Sequence, residues 1–281
     1  MQFSLISRNL NWESGKPRAR VNMKIRIGTS GYSYDDWKRH FYPEKIAKDK
    51  MLEYYAQHFD TVEINSTYYG IPGPSVCEKW AEKTPPGFEF IVKTHQETTH
   101  KRQDYAEAMQ DLRKAVQPLA DAKKFSGFLA QFPYSFKNTP QNREYLLKTK
   151  ELCGTHPLFV EFRNRTWSRA ETSEFLRGNE IGFVNVDEPR LRGLLPPQQN
   201  VTSKLGYIRF HGRNAKDWWK GTNTTRYNYL YSKAELEEWK VRIAHILKIS
   251  HTLYVIFNNH PHAKAVVNAF MIREMLEIEP E

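Results

Sequence analysis

The sequence has no apolar run near the about 18 residues that a membrane-crossing helix needs, and its mean hydropathy is −0.71. Both observations speak against a membrane partner. Cysteine is equally scarce: Cys77 and Cys153 are the two in 281 residues, both in helix-like stretches. Two such residues cannot build a disulfide framework and lack metal-ligand spacing, which predicts a reducing, cytoplasmic setting. Residues 1–22 lack the unbroken apolar core of a secretory signal and show no helix or strand period. They are expected to form a flexible extension ahead of one domain over residues 23–278.

What is present fits a globular enzyme-sized chain, with 40% hydrophobic and 14% aromatic residues. The net charge of +10 is uneven. Residues 1–24 hold Arg8, Lys16, Arg18, Arg20 and Lys24 against Glu13 alone, so four of the ten net charges sit there. The excess left on the remainder fits an ordinary soluble surface better than a nucleic-acid footprint.

Eight short runs rich in β-branched or aromatic residues recur: Ile25–Gly31, Thr61–Thr67, Glu89–His95, Gly127–Pro133, Leu158–Asn164, Gly182–Glu188, Leu205–Gly212 and Thr252–Asn259. Their starts are about 32 residues apart, the length of one strand-plus-helix unit. Helix-period segments lie between most of them: Lys48–Phe59, Tyr105–Ala122, Gln141–Leu152 and Ala263–Leu276. Capping boxes are expected at Ser75–Glu78, Ser168–Glu171 and Ser232–Glu235, the last opening a helix that runs to about Ile249. Eight alternating units predict a parallel sheet closed into a (β/α)8 TIM barrel. One unit breaks the pattern: Pro189–Lys204, with Pro196-Pro197 and no apolar period, predicts that the sixth helix is reduced or missing. The stretch Arg213–Tyr231 predicts a long aromatic loop after the seventh strand.

Side chains alternate across a strand, so one parity should face the helices and the other the barrel interior. The apolar parity (Val62, Val92, Phe128, Val160, Val184, Ile208 and Val255 among others) is assigned outward. Polar residues then point inward near the C-terminal strand ends, where barrel active sites are built.

These runs carry a family resemblance. Gly28-Thr29-Ser30-Gly31-Tyr32, Phe41-Tyr42-Pro43, Thr61-Val62-Glu63-Ile64-Asn65-Ser66-Thr67-Tyr68-Tyr69, Thr84-Pro85-Pro86-Gly87-Phe88, Gln131-Phe132-Pro133, Val160-Glu161-Phe162-Arg163, Arg209-Phe210-His211-Gly212 and Phe257-Asn258-Asn259 resemble domain of unknown function family 72, also called YecE-like. The likeness runs from about Met23 to about Leu276 and implies a TIM barrel; it implies no particular reaction.

The inward residues define a candidate site. Glu63, Glu161 and Asp187 supply acids, Lys93, Arg163 and Arg209 cations, and His95 and His211 imidazoles. The mixture suits a metal-free enzyme, of hydrolase or lyase type, acting on an anionic small molecule such as a phosphate or sugar derivative. The cations, with Asn65, Gln131 and Asn258, would orient the ligand. Glu63 or Glu161 would serve as base and His211 or His95 as acid, with Asp187 beside them. Tyr32, Tyr68, Trp218 and Arg226 would add stacking and charge from the loops. No cofactor is expected. A divalent metal held by the carboxylates and histidines, for phosphodiester or sugar chemistry, is an alternative that three interleaved cations oppose. A non-catalytic binder of nucleic acid or a phosphorylated ligand is the other alternative.

Overall fold

The computed structural model describes residues 23–278; the expectation for residues 1–22 lies outside them. Eight strands form a closed, wholly parallel barrel in sequence order: β1 (Lys24–Ser30), β2 (Thr61–Ile64), β3 (Glu89–Lys93), β4 (Phe125–Gln131), β5 (Leu158–Glu161), β6 (Ile181–Asp187), β7 (Leu205–Phe210) and β8 (Thr252–Phe257). Pairing of β1 with β8 closes the ring. Around it lie α1 (Met51–Tyr55), α2 (Pro74–Glu82), α3 (Tyr105–Asp121), α4 (Pro140–Leu152), α5 (Ala170–Gly178), the short α6 (Asn223–Arg226), α7 (Lys233–Ile249) and α8 (Lys264–Met275). No helix among the described residues is long and apolar enough to cross a membrane. The thiols of Cys77 and Cys153 are buried and free.

Most strands end two or three residues before the expected limit, because the chain turns once it leaves the ladder; Ser66–Tyr68, for example, forms a 3-10 turn. The box at Ser232 is present, with Ser232 Oγ accepting from the Glu235 N–H and Glu235 Oε2 from the Ser232 N–H. The other two are absent. Pro74, whose fixed φ suits a first helical position, starts α2 one residue ahead of Ser75. Ser168 turns its hydroxyl to the Arg165 carbonyl, and α5 begins at Ala170.

The sixth unit has no helix: the chain from Glu188 to Lys204 crosses β6 without regular structure. This inverts the expected parity of β6. Val184 and Val186 stand beside Tyr207 and Arg209 in the ladder and so face the interior. Asn185 and Asp187 face outward. A helix satisfies its own backbone, whereas an irregular segment needs partners from the strand beneath it. Asn185 therefore accepts the Asn200 N–H (2.8 Å) and donates to the Asn200 carbonyl (2.9 Å). Thr202 Oγ1 similarly accepts the Phe183 N–H and donates to the Ile181 carbonyl.

The interior is layered. An aromatic tier of Phe159, Tyr207 and Tyr254, with ring centroids 4.9–6.1 Å apart, divides it. Below lies a polar cluster around Arg26 and Glu89; above lies a larger one around Arg209.

Candidate functional site

Above the aromatic tier, at the C-terminal strand ends, charges alternate in one buried chain. Glu63 Oε1 on β2 meets Arg209 Nη2 on β7 at 2.6 Å, and Arg209 Nη1 bonds Glu161 Oε2 on β5. Arg163 Nη2 lies 2.7 Å from Glu161 Oε1, and its Nη1 lies 2.7 Å from Glu188 Oε2, just past β6. Ser30 and Tyr207 hydroxyls donate to the two Glu63 oxygens, and the Leu195 N–H donates to Glu188 Oε1 (3.2 Å). Each carboxylate is fully buried, and buried ions are tolerated only when paired in this way. Against its own burial, the two guanidiniums hold the Glu161 carboxyl well below the usual range. At Glu188 burial wins and pushes the carboxyl up to about 7.

His211 is sealed into this layer. Asn258 Nδ2 lies 3.0 Å from Nδ1, so the neutral ring carries its proton on Nε2, 3.2 Å from Glu161 Oε1 and off the hydrogen-bond line. Burial first, then the charge of Arg163, lowers His211 to about 3. It is therefore not the imidazolium that an acid role requires at neutral pH.

Over the chain of charges opens a cavity of about 630 Å³. Arg163, Arg209 and Lys93 reach its wall, as do Asn65, Gln131 and Asn258. Tyr68, Trp218 and Arg226 line it as expected, while no carboxylate among the described residues does. Glu63, Glu161 and His211 lie beneath the lining rather than in it. Lys93 differs from both arginines. Its Nζ donates to Gln131 Oε1 (3.1 Å) and sits 4.7 Å from the Tyr68 ring centroid, with no carboxylate of the described residues in ion-pair range. Burial, and next the nearby Arg209, bring it down to about 8. Arg209 Nε, Arg226 Nε and Asn65 Oδ1 are buried without a hydrogen-bond partner, capacity that a bound polar molecule would satisfy.

Three expected site residues are elsewhere. Asp187 points away from the barrel, where Arg213 (2.8 and 2.9 Å), Tyr231 Oη (2.8 Å) and Trp239 Nε1 (2.7 Å) enclose it, a consequence of the β6 inversion. His95 follows the end of β3, where strand alternation has ceased, and does not reach the cavity; His100, from the next turn, does. Tyr32 packs outward against Tyr55, because Gly31 (φ 81°) redirects the chain after β1. Its neighbour Tyr34 lines the cavity instead, stacked on His260 at 4.6 Å.

Sequence reasoning missed Glu188, His100, Tyr227, Leu194 and His260. The inward parity of β6 leads directly to Glu188, and the absent helix was the available signal for that parity. The loop aromatics Trp37 and Trp167 are fully buried packing residues. No group of three or more His, Cys, Asp or Glu among the described residues is placed to hold a metal ion. The acids such a site would use are instead shared between Arg163 and Arg209.

Comparison with known proteins agrees with this architecture. The UPF0759 protein YunF of Bacillus subtilis is 34% identical over 272 residues, 91% of this chain and 95% of that protein. The Escherichia coli UPF0759 protein YecE is 38% identical over a shorter stretch, 25% of this chain and 23% of its own length. A crystal structure of a DUF72 family protein from Thermotoga maritima superposes with a TM-score of 0.83 at 40% identity, covering 90% of this chain and 99% of that one. One from Enterococcus faecalis gives 0.83 at 28% identity, covering 92% and 97%. The family model described as "Protein of unknown function DUF72" matches residues 26–281, and the chain belongs to that family.

Proposed function

We propose that the chain is an enzyme acting on an anionic small molecule, such as a phosphate or sugar derivative, bound at the C-terminal face of the barrel. One observation carries this reading: four cations, Lys93, Arg163, Arg209 and Arg226, line a cavity that no described carboxylate lines, and Lys93 has no ion-pair partner among the described residues. A half-buried charge of that kind, partly withdrawn from water, is costly unless a ligand completes it. Glu63 and Glu161 commit their oxygens to Arg209, Arg163 and neighbouring hydroxyls, so they fix the arginines rather than move protons. Glu188 lies beneath the lining, and Lys93 is the cavity-lining group whose proton affinity is brought toward neutrality, which suits acid–base work of the lyase or hydrolase kind.

Calorimetric titration with inorganic phosphate and small phosphorylated or carboxylated compounds tests the reading. Replacing Lys93 by Met should weaken the best ligand by about ten- to a hundredfold, the worth of a hydrogen bond to a charged group. Absence of binding at millimolar concentration to the unaltered protein would sink it.

A second reading is a non-catalytic binder of nucleic acid or a phosphorylated ligand. Its support is the exposed rim of Tyr69, Tyr134 and Trp219 around the mouth. It predicts strongly salt-dependent oligonucleotide binding with no product.

A further inference from the structure

We propose that Lys93 is a nucleophile that forms an imine with the carbonyl carbon of a substrate bearing a carboxylate or phosphate; this rests on the anion-binding reading above. Gln131 Oε1 and the face of Tyr68 hold the amine in place, and neither is an anion that would fix it as ammonium. The carboxylates that could do so are occupied by Arg209 and Arg163. A lysine kept only for charge would be better placed in the alternating chain; this one stands outside it, on the cavity wall.

Its surroundings also favour the free amine. With a pKa of about 8, about a tenth of Lys93 is uncharged at pH 7, against well under a thousandth of an ordinary lysine. Burial and neighbouring cations are the usual means of activating a lysine in this way. Arg163, above whose guanidinium Trp218 lies at 5.2 Å, and Arg226, with its unpartnered Nε, line the same cavity and can hold the anionic end of a short carbonyl compound.

The step balances without an oxidant or metal. The amine lone pair adds to the carbonyl carbon, the carbon–oxygen bond breaks, and the oxygen departs as water with the two amine hydrogens. The iminium formed on protonation withdraws electrons from the adjacent carbon and so promotes bond cleavage or proton loss there, which is lyase chemistry.

Trapping the imine by reduction tests the proposal. The full chain is incubated near pH 7 with sodium cyanoborohydride and either pyruvate or dihydroxyacetone phosphate, and the adducts are mapped by peptide mass spectrometry. The two compounds separate a carboxylate-bearing from a phosphate-bearing substrate. A reduced adduct on the Lys93 peptide, at least about tenfold above exposed lysines such as Lys248, supports imine formation; that enrichment should fall away under excess inorganic phosphate. Lys93→Arg keeps the charge but cannot form an imine, and should abolish the enriched adduct on that peptide whatever its phosphate affinity. Adducts spread evenly over surface lysines, in a protein that still binds phosphate, would overturn the imine and leave the anion site standing. Even labelling with no phosphate binding would overturn both.

Discussion

The two ends of the barrel interior resemble each other in size and differ in how their charges are settled. The N-terminal end opens to a cavity of about 520 Å³, the C-terminal end to one of about 630 Å³. At the N-terminal end Arg26 meets Asp60 at 2.6 Å and Glu89 at 3.3 Å, and Tyr254 and Ser126 donate to Glu89. Asp60 lines that cavity itself and is about a third exposed (32%). At the C-terminal end Glu63, Glu161 and Glu188 all lie beneath the surface, while cations reach the wall. Cavity volume therefore says little about function. What distinguishes the two ends is where the anions stand, in the lining at one and beneath it at the other.

The largest expected effect tests whether the two clusters differ in energy. Arg209→Met leaves Glu63 and Glu161 buried with fewer partners, and should lower unfolding free energy by about 3–5 kcal/mol in urea titrations. Arg26→Met should cost less, because Asp60 and Glu89 keep contact with water. Equal losses would erase the distinction.

The next effect isolates Lys93. Its folded pKa is about 8 against the ordinary 10.5, so between those values the unfolded chain binds more protons and stability rises with pH. Lys93→Met should remove this rise, on the order of 2 kcal/mol across the window. Measuring the difference between variant and parent cancels the opposing contribution of buried tyrosines such as Tyr207 and Tyr231, whose hydroxyls are raised. A parallel pH dependence in both proteins would mean that Lys93 keeps an ordinary proton affinity.

The smallest effect is a control on the same face as the cavity but outside it. Ser232→Ala breaks the capping box of α7 and should cost about 1 kcal/mol in thermal or chemical unfolding. Phosphate affinity should not change. A change there would mean that the aromatic loop before Ser232 transmits helix stability to the site.

The barrel was legible because each unit repeats two simple periods, alternation in strands and an amphipathic stripe in helices. The missing sixth helix was legible too, from the prolines and the lost period in Pro189–Lys204. Its consequence was not. Val184 and Val186 are apolar in alternation, and alternation alone does not say which side of a sheet is covered by helix and which by irregular chain. Hence Asp187 was expected inside and Glu188 overlooked. His95 and Tyr32 show a second limit, since beyond the ladder parity persists only until the chain turns, and a turn at Gly31 or after Lys93 resets it. Most of the cavity-lining set needed only strand position, which is why Asn65, Lys93, Gln131, Arg163, Arg209 and Asn258 all reach the cavity. The pairing of each acid with an arginine is a three-dimensional fact with no sequence signal.

The alternating charges from Glu63 to Glu188 also have a mechanical meaning. They act as a tie-rod across the mouth, joining β2 to the far wall through β7 and β5 and ending just past β6, in the one connection of the barrel that holds no helix among the described residues. An ionic tie thus spans the mouth from inside, and the same contacts hold the guanidinium of Arg163 at the wall where an anion would meet it.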